Sequence, residues 1–283
     1  MRSAAPVGSA PIGVFDSGVG GLTVLKALCA QLPGESFVYL GDTARLPYGT
    51  KSAATVTRYS LKAAEALAEY GVKCLVIACN TVSAFALPAI RERAGAVPVV
   101  GVIEPGAEAA CSASRSGHIA VIATEGTVRR GAYQEAILRL RSHARVSAQP
   151  AALLVALAEE GLCSGPIAEA VASYYLAPLF REDLPGGPPD TLVLGCTHFP
   201  MLGDTIRAVL SARVSIVDSA TTTAAQVHSE LKAAQLLRAA DGVDNGAPAV
   251  RFLATDDAGR FARVGSRFLQ RPIASGEVEL VDL

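Results

Sequence analysis

Leu75-Val76-Ile77-Ala78-Cys79-Asn80-Thr81 and Leu192-Val193-Leu194-Gly195-Cys196-Thr197-His198 read almost as copies of one another. In each, an apolar run ends in a small residue, then a cysteine, then a hydrogen-bonding pair. Runs this uniformly apolar are the pattern of strands buried on both faces, so each cysteine falls where a strand opens into a loop. In open α/β sheets that is the end at which ligands bind. Two thiols presented in this way point to paired acid/base chemistry on one small substrate.

Outward from these segments, strand-like runs alternate with helical patterns. The strands expected are Pro11–Phe15, Ser36–Gly41, Lys73–Ala78, Val97–Val102, His118–Ala123, Ala144–Ala148, Thr191–Gly195, Arg213–Val217, Val250–Ala254 and Val278–Val281. Ala-rich periodic stretches at Ser52–Tyr70, Thr127–Leu140, Ser164–Phe180, Thr222–Ala239 and Asp257–Leu269 are the expected helices. Such alternation predicts mostly parallel sheets with helices on both faces, in one large sheet or two smaller ones. The echoed cysteine segments favour two similar halves with a cleft between them. The Pro- and Gly-rich stretches 183–190 and 241–248 read as surface loops.

The chain has 283 residues, 51% of them hydrophobic and 18% charged, with a net charge of −1. That composition supplies a sizeable core and argues against disorder. Scattered Lys and Arg argue against nucleic acid or an anionic membrane as the main partner. No run is long and apolar enough for a membrane span, and residues 1–10 lack the apolar centre of a secretory signal, reading instead as a loose tail. Six widely spread cysteines in a chain of this size are expected to be reduced, which places the protein in the cytoplasm.

A buried cysteine is commonly a small core hydrophobe, and that reading fits Cys29, Cys74, Cys111 and Cys163. Cys79 and Cys196 differ, because hydrogen-bonding side chains and the beginning of a helix follow each. Helix N–H groups are expected to lower a thiol's pKa. Spacing removes several familiar chemistries. A phosphatase-type Cys-x5-Arg would need arginine where Phe85 and Leu202 stand. No Cys-x-x-Cys pair exists, and the four histidines are too scattered for a structural zinc site. A thiol–imidazole pair with His198 remains open, although it leaves the second cysteine without a task.

Other polar groups gather at predicted strand ends. Gly13-Val-Phe-Asp16-Ser17-Gly18-Val-Gly20-Gly21 runs from a strand through a glycine-rich turn into a helix, without the spacing of the dinucleotide fingerprint. Its glycines suit a tight turn and the approach of backbone N–H groups to an anion such as a carboxylate. Asp16 could cap the helix, bind an ammonium group or tune a nearby thiol. Asp42, Arg45 and Pro47-Tyr48-Gly49 follow the second strand, Glu104 the fourth, and Thr124-Glu125-Gly126-Thr127 the fifth. Each alone is an ordinary turn, but parallel strands set all of these ends on one rim.

Together with Tyr39–Gly49, Ala78–Thr81, Gly101–Gly106 and Leu194–Pro200, the segment Gly13–Leu22 resembles the glutamate racemases, in chain order across nearly the whole sequence. The resemblance implies two pseudosymmetric doubly wound α/β domains with the active site in the cleft between them. Their expected extents are residues 1–103 plus 218–283, carrying Asp16 and Cys79, and 104–217, carrying Cys196 and His198. It implies interconversion of L- and D-glutamate without cofactor or metal, supplying D-glutamate for peptidoglycan. Cys79 is similar to the thiol that deprotonates D-glutamate and Cys196 to the one that deprotonates L-glutamate, with Asp16 and His198 assisting. Ser17, Pro47, Tyr48, Gly49, Asn80, Thr81 and Thr197 match substrate-binding positions, with Thr124 and Thr127 as neighbours and Asp16 as a further substrate contact. Ala156-Leu-Ala-Glu159 keeps an assisting glutamate but lacks the proline of the family's Pro-Leu-Val motif. A racemase of the same design acting on aspartate or a hydantoin, and a two-lobed binder without catalysis, are the alternatives. A homodimer and a peptidoglycan-precursor activator stay open.

The chemistry suits the residues. Racemisation removes a weakly acidic Cα proton from one face and returns one to the other, so two groups on opposite faces act without moving the substrate. An unperturbed thiol, with a pKa of about 8.5, supplies little thiolate near neutrality and needs escorts that favour it. A carboxylate such as Asp16 beside a thiol opposes this unless it takes a proton or holds the substrate ammonium. Reacting atoms about 3–3.5 Å from Cα on each side put the sulfurs roughly 6–8 Å apart.

Overall fold

Every strand expected from the sequence forms, within two residues at either end. In the computed structural model, which describes residues 7–238 and 248–283, these are β1 (Ile12–Asp16), β2 (Phe37–Gly41), β3 (Cys74–Ile77), β4 (Val99–Gly101), β5 (His118–Ala123), β6 (Arg145–Pro150), β7 (Thr191–Gly195), β8 (Ser215–Asp218), β9 (Val250–Ala254) and β10 (Val278–Leu280). They form two sheets, a six-stranded one in the order β10-β9-β2-β1-β3-β4 and a four-stranded one in the order β6-β5-β7-β8. Every pairing is parallel. β1, β2, β3, β5 and β7 are buried along their whole length, which is why their sequences are continuous apolar runs rather than alternating ones.

The sheet order explains the echo. In the first sheet β1 lies between β2 and β3, and in the second β5 lies between β6 and β7. Loops leaving β1 and β3 diverge to opposite sides of their sheet, as do those leaving β5 and β7, and each divergence opens a crevice at the strands' carboxyl ends. Asp16 pairs in register with Gly41, Phe15 with Ile77, and Ala123 with Gly195. Asp16 and Cys79 therefore leave one crevice, and Thr124 and Cys196 the other.

The helices depart from expectation at several points. Thr127–Leu140 is two helices, Glu125–Arg130 and Ala132–Leu140, because Gly131 adopts φ 71° and ends the first of them. The expected Ser164–Phe180 shortens to Pro166–Leu176, with proline in its first turn. Thr222–Ala239 starts earlier, at Ser219, where Asp218 accepts hydrogen bonds from the N–H groups of Ala220 and Thr221, and it ends at Ala233. Ala239, most of the expected 241–248 loop and the first residues of the expected tail lie outside the described residues. Helices Leu22–Gln31 and Ser219–Ala233 pack against each other, and one large apolar core runs through both sheets. Among the described residues no helix is long and apolar enough to cross a membrane.

Candidate active site

The carboxyl ends of the two sheets face one cavity, enclosing about 480 Å³ of empty space with the open solvent at its mouth included. Ser17, Pro47, Tyr48, Gly49, Cys79, Asn80, Thr81, Thr124, Glu159, Cys196, Thr197 and His198 line it, so twelve of the fourteen residues singled out from the sequence meet on one surface. Asp16 and Thr127 stand one layer behind that wall. Gly18 and the apolar side chains of Leu46 and Val155 complete the lining. In sequence, nothing distinguishes Leu46 and Val155 from core residues.

Cys79 lies two residues beyond the end of β3 and is the N-cap of the short helix Asn80–Phe85. Its Sγ lies 3.4 Å from Ser17 Oγ. The expected lowering of its pKa by helix N–H groups is outweighed. Burial, seconded by the charge of Asp16, pushes the thiol up to about 12, against the smaller pull of Ser17 and the Val82 N–H. Asp16 is itself pushed up by burial, against the His198 charge and the N–H groups of Gly21 and Gly18. Its Oδ2 accepts from Gly18 N at 3.0 Å, while Oδ1 is buried without a partner among the described residues. Cys79 and Asp16 are thus both desolvated and both biased towards the protonated form.

Cys196 has different company. A helix does not begin directly after it. A 3-10 turn, Phe199–Leu202, with Pro200 near its start, instead comes ahead of helix Gly203–Val209. Cys196 Sγ lies 3.7 Å from His198 Nδ1, and His198 Nε2 lies 3.1 Å from Glu159 Oε1. Glu159 comes from the last turn of helix Ala152–Glu160. The missing proline of its motif has not moved it out of the site. Burial alone would lower the His198 pKa. The Cys196 sulfur and the Glu159 carboxylate, with Asp16 further off, outweigh burial and push it up to about 10. The hydrogen bond to His198 in turn holds the Glu159 carboxyl below its usual range against partial burial. One sulfur therefore meets the Ser17 hydroxyl within the field of Asp16, and the other meets the His198 imidazole.

The sign of the resulting pH dependence follows from the raised His198 value. Its contribution to stability is full below about pH 6.5 and is lost as pH rises through about 10. Melting temperature is therefore expected to fall between pH 7 and pH 10 by more in the parent chain than in Glu159→Gln. An equal fall in both would mean that the pair is not formed in solution.

The remaining wall is a set of hydroxyls and amides held from behind. Thr81 Oγ1 lies 2.9 Å from Thr124 Oγ1 and 3.3 Å from Thr127 Oγ1, which joins the two crevices through three threonines. The Tyr133 hydroxyl donates to Asn80 Oδ1 at 2.7 Å, leaving Asn80 Nδ2 buried without a partner among the described residues. Asp42 fixes the Pro47-Tyr48-Gly49 wall, accepting from the Tyr48 hydroxyl and from Arg45. Glu104 lies in the first turn of helix Ile103–Ala113 and does not line the cavity. Sequence reasoning missed Tyr133, which reads there as one more aromatic on an apolar helix face.

The first strand's turn meets the second sheet's loop directly. The Thr23 hydroxyl lies 2.9 Å from the carbonyls of both Gly20 and Thr197, which share its one proton. A Cβ on Gly20 would stand 2.4 Å from Thr197 Oγ1 and 2.5 Å from the His198 ring. These glycines serve close approach between the two halves as well as the turn itself.

Two crevices from similar sheets, each delivering a cysteine to one shared cavity, define a two-lobed α/β enzyme. The sequence profile of the Asp/Glu/Hydantoin racemase family matches residues 12–227, and the chain belongs to that family, whose members are isomerases. Within the family, many relatives at 40–47% identity over most of the chain are glutamate racemases. That of Geobacter metallireducens is 47% identical over 91% of this chain and 92% of its own. The Francisella tularensis enzyme, solved with D-glutamate, superimposes with a TM-score of 0.87 at 37% identity, covering 97% of this chain and 98% of its own. The Escherichia coli enzyme, solved with L-glutamate and the activator UDP-MurNAc-ala, gives 0.73 at 32% identity, covering 91% and 95%.

Proposed function

We propose that this chain interconverts L- and D-glutamate by proton transfer between two thiols, without a cofactor, and that its D-glutamate supplies peptidoglycan. The observation that carries this reading is that Cys79 and Cys196, from equivalent strands of two sheets, line one polar cavity with unlike neighbours. On L-glutamate, the Cys196 sulfur takes the Cα proton as thiolate while the Cys79 thiol delivers its own proton to the opposite face. The reverse reaction exchanges the roles. Glutamate binding sets the substrate between the sulfurs, roughly 6–8 Å apart when each lies about 3–3.5 Å from Cα.

Charge that develops on the α-carboxylate in the carbanion-like state needs donors already in place. Ser17, Thr81, Thr124, Thr197 and the free Nδ2 of Asn80 supply them, and the Pro47–Gly49 wall excludes water. Asp16 and Cys79 are both biased towards the protonated form. When Cys79 must act as base, Asp16 is the adjacent group able to take its proton. Because Asp16 stands behind the wall, it serves Cys79 rather than binding the substrate ammonium directly. His198, charged through Glu159, plays the matching part for Cys196. We assign residues 1–103 with 218–283 to one domain and 104–217 to the other. Six unpaired cysteines fit a reducing cytoplasm.

The test is purified protein in deuterium oxide with L-glutamate. D-glutamate carrying deuterium at Cα is expected, with aspartate and a hydantoin as controls. Turnover of a control in place of glutamate would reassign the substrate. Binding without exchange would make the chain a binder.

A further inference from the structure

We infer that Arg260 is a positioning residue for the Cys196 side of the site, holding the Glu159 carboxylate against His198 from the opposite lobe. This deepens the glutamate reading and rests on it. Arg260 lies in helix Ala258–Leu269, which follows β9 of the six-stranded sheet and does not line the cavity. Its Nη2 donates to Glu159 Oε2 at 3.0 Å, while Oε1 of the same carboxylate meets His198 Nε2 at 3.1 Å. A carboxylate bound at both oxygens has one orientation open to it, and so has the imidazole it grips.

Stability does not account for the contact. The Arg260 side chain is 43% exposed, and ion pairs so accessible to water contribute little. The backbone is secured separately. Arg267 Nη1, from the same helix, donates to the Glu159 carbonyl at 3.1 Å, at a helix end where carbonyls lack intrahelical partners. Two arginines from one lobe thus take different parts of one glutamate on the other, Arg267 its backbone and Arg260 its carboxylate. Phe268 of that helix also packs edge-on against the His198 ring, with centroids 5.2 Å apart. The Cys196–His198–Glu159 chain lies wholly on one lobe, and it is braced at Glu159 and His198 from the other only when the lobes are together. Arg260 closes its far end.

The test compares the parent chain with Arg260→Ala, Arg260→Lys and Arg267→Ala, all checked for unchanged melting behaviour. Arg260→Ala is expected to lower kcat for glutamate about tenfold with little change in KM, because orientation is lost but no substrate contact. The primary isotope effect from Cα-deuterated L-glutamate should rise and that from D-glutamate fall, since only the Cys196 step has slowed. Arg260→Lys, which keeps one donor and the charge, should recover most of the rate. Arg267→Ala should leave the ratio of the two isotope effects at the parent value. An Arg260→Ala variant with the parent ratio, an equal shift from Arg267→Ala, or no recovery with lysine would overturn the assignment. Absence of glutamate turnover in the parent would sink the substrate reading instead. The 15N shift of His198 Nε2 then decides the role of Arg260, a change in Arg260→Ala alone supporting it and none refuting it.

Discussion

Replacing Cys79 or Cys196 with serine is expected to lower kcat/KM for glutamate racemisation by about 10²–10⁴, the usual worth of a positioned acid/base group. The loss should be identical in the two directions, whichever thiol is changed. Enantiomers have equal free energies in an achiral solvent, so the equilibrium constant is one and the two kcat/KM values must stay equal. Identity of the damaged side must be sought elsewhere. With Cys79→Ser the Cys196 face is intact, so L-glutamate should still exchange its Cα hydrogen slowly with solvent while D-glutamate does not. Cys196→Ser should show the converse. Exchange of both enantiomers by either variant, or full turnover by one of them, would refute the two-thiol mechanism.

Gly20→Ala should be nearly as damaging, although Gly20 carries no chemistry. The added methyl would meet Thr197 Oγ1 at 2.4 Å and the His198 ring at 2.5 Å. Neither neighbour is a loose surface end, since Thr197 and His198 are buried and His198 is gripped by Glu159. The clash also strains the Thr23 hydroxyl that ties the Gly20 and Thr197 carbonyls together. Displacement of about 1 Å at such a site costs on the order of 10²-fold in rate, and overpacking costs about 1–3 kcal/mol of stability. Steady-state kinetics with thermal melting would measure both. Parent-like kinetics would show that the second lobe can retreat without disturbing the imidazole.

What the chain discloses before folding is mostly what local pattern controls. Runs such as Leu75–Ala78 and Leu192–Gly195 are legible as buried strands because parallel sheets demand uninterrupted apolar residues. Cysteines beyond their ends follow from that. Gly131 as a helix stop was hidden inside an apolar period that continues smoothly across it. Electrostatics were less legible still. The short helix after Cys79 reads as a thiol-activating feature, yet burial on all sides and Asp16 from another strand decide the outcome. Contacts between residues far apart in sequence, Tyr133 with Asn80 and Arg260 with Glu159, leave no trace in spacing.

The six-stranded sheet draws β9 and β10 from the last part of the chain, beyond the stretch that builds the four-stranded one. On the ribosome the smaller sheet emerges as one uninterrupted length and can close as a unit. β2 cannot, because its outer partner β9 is synthesised only after the whole smaller sheet. Until then β2 presents open backbone groups to whatever is near. The nascent chain is thus most prone to mispairing in the interval before β9 emerges, and truncations that remove β9 should yield inclusion bodies rather than a smaller soluble protein.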